Sequence, residues 1–184
     1  MRDVKRSFKC AARGVLVCVR EERNFRIHLA AAFYTIAAGA YARFEPWQWA
    51  AVLLCIGGVL SAEIFNTAIE RLADAVSPGW DKLIGKVKDL AAGGVFVLAI
   101  AAVFIGASVF FAEGTLQRLA ANVRAHPLGA VVALAAAPGF AYFVFRGYGN
   151  DKENRNDHDC RPAERGQVDS GQHARRRKDI HRDA

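Results

Sequence analysis

From Trp47 the chain runs WQWAAVLLCIGGVLSAEIFNTAIERLADAV, an apolar stretch whose second half places Glu63, Asn66, Glu70 and Asp74 at spacings of three, four and four residues. On a helix turning about 100° per residue, those spacings set all four on one face. At a rise of about 1.5 Å per residue, Trp49 to Glu63 covers roughly 21 Å, less than the roughly 30 Å apolar core of a bilayer. Glu63 and Asn66 are therefore expected at the membrane edge, with Glu70 and Asp74 emerging from it. Ionisable groups in or beside hydrocarbon are costly, so a row of them points to function. The alternative is an ordinary wet face on a helix that has already left the membrane.

The rest of the chain fits this environment. Its hydrophobic fraction of 53% is concentrated in four segments, His28–Phe44, Trp47–Ile69, Leu90–Ala112 and Pro127–Phe145. The first is short for a span, the third is the clearest, and the fourth carries Pro138-Gly139 at its middle, where a membrane helix tolerates a kink. Lys and Arg number eight in residues 1–27, one in 43–46, four in 71–89, two in 113–126 and ten from 146 onward. Four spans then leave 22 on one side and 3 on the other, which puts both termini and the second connection in the cytoplasm. The net charge of +7 reads as topology and attraction to anionic lipid rather than nucleic-acid binding.

Ser7–Arg26 is expected to be an amphipathic surface helix, with Phe8, Val15 and Leu16 on one face and Lys5, Lys9, Arg13, Arg20 and Arg23 on the other. Trp47 and Trp49 suit an interfacial belt, and Ser77-Pro78-Gly79 should end the second span. Past Gly147 almost no apolar residues remain, so the tail is expected to be disordered. Cys10, Cys18, Cys55 and Cys160 form no close pair, and no disulfide framework is expected. The basic start is followed by no short apolar region with a small-residue cleavage site, so no removable signal peptide is expected.

Glu63, Glu70, Asp74, Glu22 and the pair Lys88-Asp89 would share one cytoplasmic interface. That combination suits phosphoryl transfer: carboxylates bind Mg²⁺ together with substrate phosphates, a lysine counters phosphate charge, and a further carboxylate accepts the attacking hydroxyl's proton. Gly79–Lys86 is one residue too long for a P-loop, Val87 stands where Ser or Thr is needed, and no GxGxxG occurs. A nucleotide site would therefore have to be built by membrane helices. Residue types alone leave a proton-coupled transporter open, with the carboxylates as a relay, and also a non-catalytic assembly factor.

The stretches SFKCAARG (7–14), EERNFRIHL (21–29), AEIFNTAIERLAD (62–74) and KVKDLAAGGV (86–95) resemble the prokaryotic diacylglycerol kinase family, which includes the undecaprenol kinases. The resemblance covers residues 7 to about 112 and rests on E-x-x-N-T-A-I-E-x-x-x-D followed by K-D-x-A-A-G. It implies an ATP- and Mg²⁺-dependent lipid kinase in the cell membrane, working as a homotrimer with sites between subunits. It implies an all-α fold: a surface helix and a three-helix transmembrane kinase core in 1–112, to which this chain adds a transmembrane segment in 113–146 and a polar tail in 147–184.

By the same resemblance Glu63 is the general base, and Glu22 and Glu70 hold the metal. Lys88 and Asp89 bind the nucleotide, with Gly79, Trp80 and Asp81 near its adenosine part. Cys10, where members often carry Tyr, falls in the nucleotide set as well. Asn66, Asp74 and Arg26 complete the substrate side. NFRIHL, with Asn24 and His28, is similar to the undecaprenol branch, so undecaprenol is the expected acceptor and diacylglycerol the alternative. His28 itself is expected to be an interface histidine without a catalytic part.

Overall fold

A computed structural model describes residues 2–77, 79 and 81–145. The expected disordered tail, 147–184, and the helix breaker Pro78 lie outside the described residues, as does Trp80. The described residues form seven helices and no strand. They are α1 (Arg2–Glu21), α2 (Arg23–Tyr41), α3 (Pro46–Val76), α4 (Lys82–Phe110), α5 (Thr115–Ala125), α6 (Pro127–Ala135) and α7 (Ala137–Phe145). The fold is all-α, as expected.

Among the described residues, 11–145 belong to one compact unit, and 2–10, the first turns of α1, belong to another. Three helical stretches are long and apolar enough to cross a membrane: Pro46–Val76, Lys82–Phe110 and Pro127–Phe145, the last comprising α6 and α7. α2, the expected first span, is not among the three. It has 19 residues and begins with Arg23 and Arg26 in its first turn. Large apolar side chains such as Leu54, Phe65, Phe96, Val103 and Phe104 stand exposed on α3 and α4. Water would penalise such a surface, whereas hydrocarbon does not.

α3 and α4 form an antiparallel pair with α2 against α3. Their tightest packing lies at the end away from the carboxylates. Ala42, Phe44, Val52 and Val109 form a buried cluster there, joined by Trp49 and Phe110. Phe44 stacks edge-on against Trp49 and Phe110, with ring centroids 5.4 and 5.0 Å apart. It also lies over Gly39, where an added Cβ would come within 2.7 Å of its ring. The C-terminal carbonyls of a helix need outside donors, and α5 supplies them to α2. Arg118 Nε donates to Ala42 O at 3.1 Å and Asn122 Nδ2 to Tyr41 O at 2.8 Å. The connection between α4 and α6 is thus itself a packed helix.

Gln48 ties this end together. It is 1% exposed; its Nε2 donates to Val109 O at 3.1 Å and to Thr115 Oγ1 at 3.0 Å, and its Oε1 accepts from Glu45 N at 2.8 Å. Gln48→Leu removes all three bonds while roughly keeping the volume, and two of the partners left behind, Val109 O and Thr115 Oγ1, are buried. We expect a loss of about 1–3 kcal/mol, read as a lower melting temperature in detergent micelles.

The surface helix stops sooner than expected. α1 ends at Glu21, and Glu22 is extended (φ −99°, ψ 113°) before α2 begins. No glycine or proline marks this break. Arg26, 4% exposed, holds it: Nη1 donates to Arg20 O at 2.8 Å and Val19 O at 3.3 Å, satisfying carbonyls at the end of α1. Its Nη2 donates to Val144 O of α7 at 3.3 Å. Stacking of Phe33 and Tyr34 on Phe140, at 4.8 and 5.6 Å, extends the α2–α7 contact. The interruption between α6 and α7 falls at Ala136, just before Pro138, which has no N–H to continue the ladder.

Candidate active site

Glu63, Asn66, Glu70 and Asp74 all project from α3, and the surrounding helices bring partners to each. Glu63 is 3% exposed, with its Oε1 3.2 Å from Nε2 of His28 on α2. One turn further, Thr67 donates through Oγ1 to the Glu63 carbonyl at 3.0 Å. Asn66 Nδ2 donates to Glu70 Oε1 at 2.8 Å, while its buried Oδ1 has no partner among the described residues. A buried acceptor left open is unusual in a native site and marks where a further donor would be bound.

The break between α1 and α2 carries Glu22 to this face. Its carboxyl holds its proton above the ordinary glutamate range, first because it is partly buried and next because the charge of Glu70 is close; Arg71 opposes the shift. Glu21, just before the break, accepts a hydrogen bond from Arg71 of α3 in an exposed ion pair. Cys18 is buried against the same helix, and its thiol is pushed up by that burial while a hydrogen bond with Thr67 works the other way. α1 is therefore keyed to α3 at Cys18 and Glu21.

The remaining candidates sit toward the start of α4. Lys88 donates to Asp74 across the α3–α4 pair. Asp81 caps α4, its Oδ1 accepting from the N–H groups of Leu83 at 2.7 Å and Ile84 at 3.2 Å. Gly79 and Asp89 are exposed, and Trp80 lies outside the described residues. Cys10 is disulfide-bonded whereas Cys18 and Cys55 are free. Arg26 lies near Glu22; its Nη1 and Nη2 donate to backbone carbonyls, while its buried Nε has no hydrogen-bond partner among the described residues.

No group of three or more His, Cys, Asp or Glu among the described residues is arranged to hold a metal. Two carboxylates that repel each other, Glu22 and Glu70, nevertheless suit a hard dication that brings further oxygen ligands on a phosphate chain. Beside the carboxylates, α2, α3 and α4 enclose a groove of about 360 Å³. Small and apolar side chains line it, among them Ala32, Val59, Ala99 and Gly106, and His28 stands on its wall. The site thus joins a charged face to an apolar groove through the imidazole that touches Glu63.

The model of the prokaryotic diacylglycerol kinase family matches residues 9–110. The chain belongs to this family. It is a lipid kinase that uses ATP and a multi-pass membrane protein, which decides against the transporter and assembly-factor alternatives. It is similar to the undecaprenol kinase of Bacillus subtilis (strain 168), 38% identical over 105 residues, covering 57% of this chain and 85% of that protein. It is also similar to the diacylglycerol kinase of Synechocystis sp. (strain ATCC 27184 / PCC 6803 / Kazusa), 37% identical over 101 residues, covering 54% of this chain and 58% of that protein. No solved structure gives a significant match. The matched region ends with α4, so α5, α6 and α7 lie beyond it, yet α7 reaches Arg26 beside Glu22.

Sequence reasoning missed His28 as the partner of Glu63, and it missed the Glu21–Arg71 and Cys18–Thr67 pairings. Each joins residues on different helices, so no local spacing announces it. The nearest signal lay within the family-like stretches themselves, which contain five of the six residues, all but Cys18.

Proposed function

We propose that the kinase phosphorylates the terminal hydroxyl of undecaprenol, using Mg·ATP at the cytoplasmic face of the cell membrane. The observation that carries this reading is the buried Glu63 carboxylate beside a groove with an apolar lining, which allows a hydroxyl to reach a base while its hydrocarbon stays out of water. The similarity to a protein named undecaprenol kinase supports the choice of lipid.

In this mechanism the lipid hydroxyl loses its proton to Glu63 as its oxygen attacks the γ-phosphorus. The bond to the β-phosphate oxygen breaks, and ADP leaves. Glu22 and Glu70 would hold Mg²⁺, which when bound would neutralise charge on the phosphates. Asn66 orients Glu70 through its amide and offers its open oxygen to the substrate. Lys88 exchanges Asp74 for phosphate oxygens, with Asp89 and the 79–81 turn completing the nucleotide side. Arg26 shapes the Glu22 break through its Nη groups and keeps its unpaired Nε for the substrate side. Residues 1–112 form the kinase domain, α2 crosses the membrane beside the three more apolar spans so that both termini are cytoplasmic, and the exposed apolar faces of α3 and α4 serve a homotrimer.

The deciding measurement compares undecaprenol and diacylglycerol as acceptors in the same mixed micelles. Undecaprenol is expected to have the higher kcat/KM. A preference of more than about tenfold for diacylglycerol, roughly 1.4 kcal/mol in transition-state stabilisation, would reverse the assignment in favour of the activity named for the Synechocystis relative.

A further inference from the structure

We propose that His28 is the positioning residue of Glu63: its imidazole fixes one carboxylate oxygen so that the other faces the acceptor hydroxyl at the mouth of the groove. The proposal rests on Glu63 being the base and adds the group that aims it.

Three observations carry it. His28 Nε2 lies 3.2 Å from Glu63 Oε1, and among the described residues no other side chain bonds that carboxylate. An ionised carboxylate only accepts, so the proton between them sits on Nε2, whether the ring is neutral or charged. The two side chains also differ in exposure, 26% for His28 and 4% for Glu63, so the imidazole bridges the buried base and the open side. Finally, His28 lines the groove together with Ala31, Ala32 and Thr35 of its own helix. The carbon next to a bound hydroxyl would therefore pass along the ring that holds the base.

The chemistry explains why this contact matters. A carboxylate on a flexible glutamate side chain samples several rotamers, and a base must lie within hydrogen-bond reach of the proton it takes. A charge-assisted bond to Oε1 removes that freedom and leaves Oε2 for the substrate. His28 does not itself exchange a proton with the lipid in this scheme.

The test measures phosphate transfer from γ-labelled ATP to lipid for His28→Ala, His28→Gln and Glu63→Gln, with melting temperatures in the same detergent. His28→Ala is expected to lower kcat by roughly 10–100-fold, in the range found for lost orienting partners, with the KM for Mg·ATP unchanged. His28→Gln keeps an N–H donor and should recover most of the loss. An unchanged kcat in His28→Ala overturns the proposal, as does an equal loss in the alanine and glutamine variants. If the alanine variant does not fold, His28→Gln decides alone: near-normal turnover supports the role and a full loss ends it. Glu63→Gln separates the two readings. If it keeps activity, Glu63 is not the base; if it is inactive while His28→Ala turns over normally, only the positioning role fails.

Discussion

Glu63→Gln is expected to lower kcat by about 10²–10⁴-fold, the range for loss of a positioned general base, with little change in the KM for Mg·ATP. The substitution is close to isosteric, and its amide oxygen can still accept from His28, so the buried contact survives. The neutral amide simply has no free affinity for the hydroxyl's proton. Label transfer from γ-labelled ATP to extracted lipid measures the effect directly. Wild-type transfer in the variant would remove Glu63 from the mechanism.

Glu22→Gln and Glu70→Gln should act on the nucleotide instead. Each removes one of the two charges assigned to the metal, and kcat/KM for Mg·ATP is expected to fall on the order of 10²-fold or more. Glu70→Gln is the sharper variant, because its amide oxygen can keep the bond from Asn66 Nδ2 while the charge disappears. The Glu70 charge is one cause of Glu22's raised proton affinity, so its loss relieves repulsion. The melting temperature without nucleotide should therefore hold or rise while activity collapses, as at sites where function opposes stability. A fall in both would mean that Glu70 is structural.

The pH dependence has a definite sign. Glu22 is protonated more readily in the fold than in the unfolded chain, so its contribution to stability is present at low pH and is lost as pH rises through its folded value. Metal binding needs the ionised form. The KM for Mg·ATP should accordingly rise on acidification, starting above the pH at which an ordinary glutamate titrates. A KM that stays flat down to the usual glutamate range would speak against Glu22 as a ligand.

What was legible in the sequence had a local cause. The face carrying Glu63 to Asp74 follows from helical spacing alone, and α3, α4 and the pair α6–α7 follow from length and hydropathy. What escaped had causes elsewhere in the fold. The break at Glu22 contains no breaker; it is held by Arg26 from the next helix and by α7 from far along the chain. α5 could be taken for a plain connection because its task, capping α2 through Arg118 and Asn122, is invisible until the helices are assembled. His28 looked incidental for the same reason, since its importance comes from Glu63 on another helix.

The packing around Gln48 and Phe44 has a mechanical consequence. At that end, three side-chain hydrogen bonds of Gln48 and stacked aromatic rings are buried together. At the carboxylate end, α3 is tied to α1 and α4 by the partly exposed pairs Arg71–Glu21 and Lys88–Asp74, each worth about 0–1 kcal/mol. Parting α3 from α4 is therefore expected to cost less at the carboxylate end, where Lys88–Asp74 is partly exposed, than at the Gln48 end. On the proposed placement of the nucleotide, parting of α3 and α4 at the carboxylate end would let a large, charged ligand enter and leave while the Gln48 end keeps the helices in register.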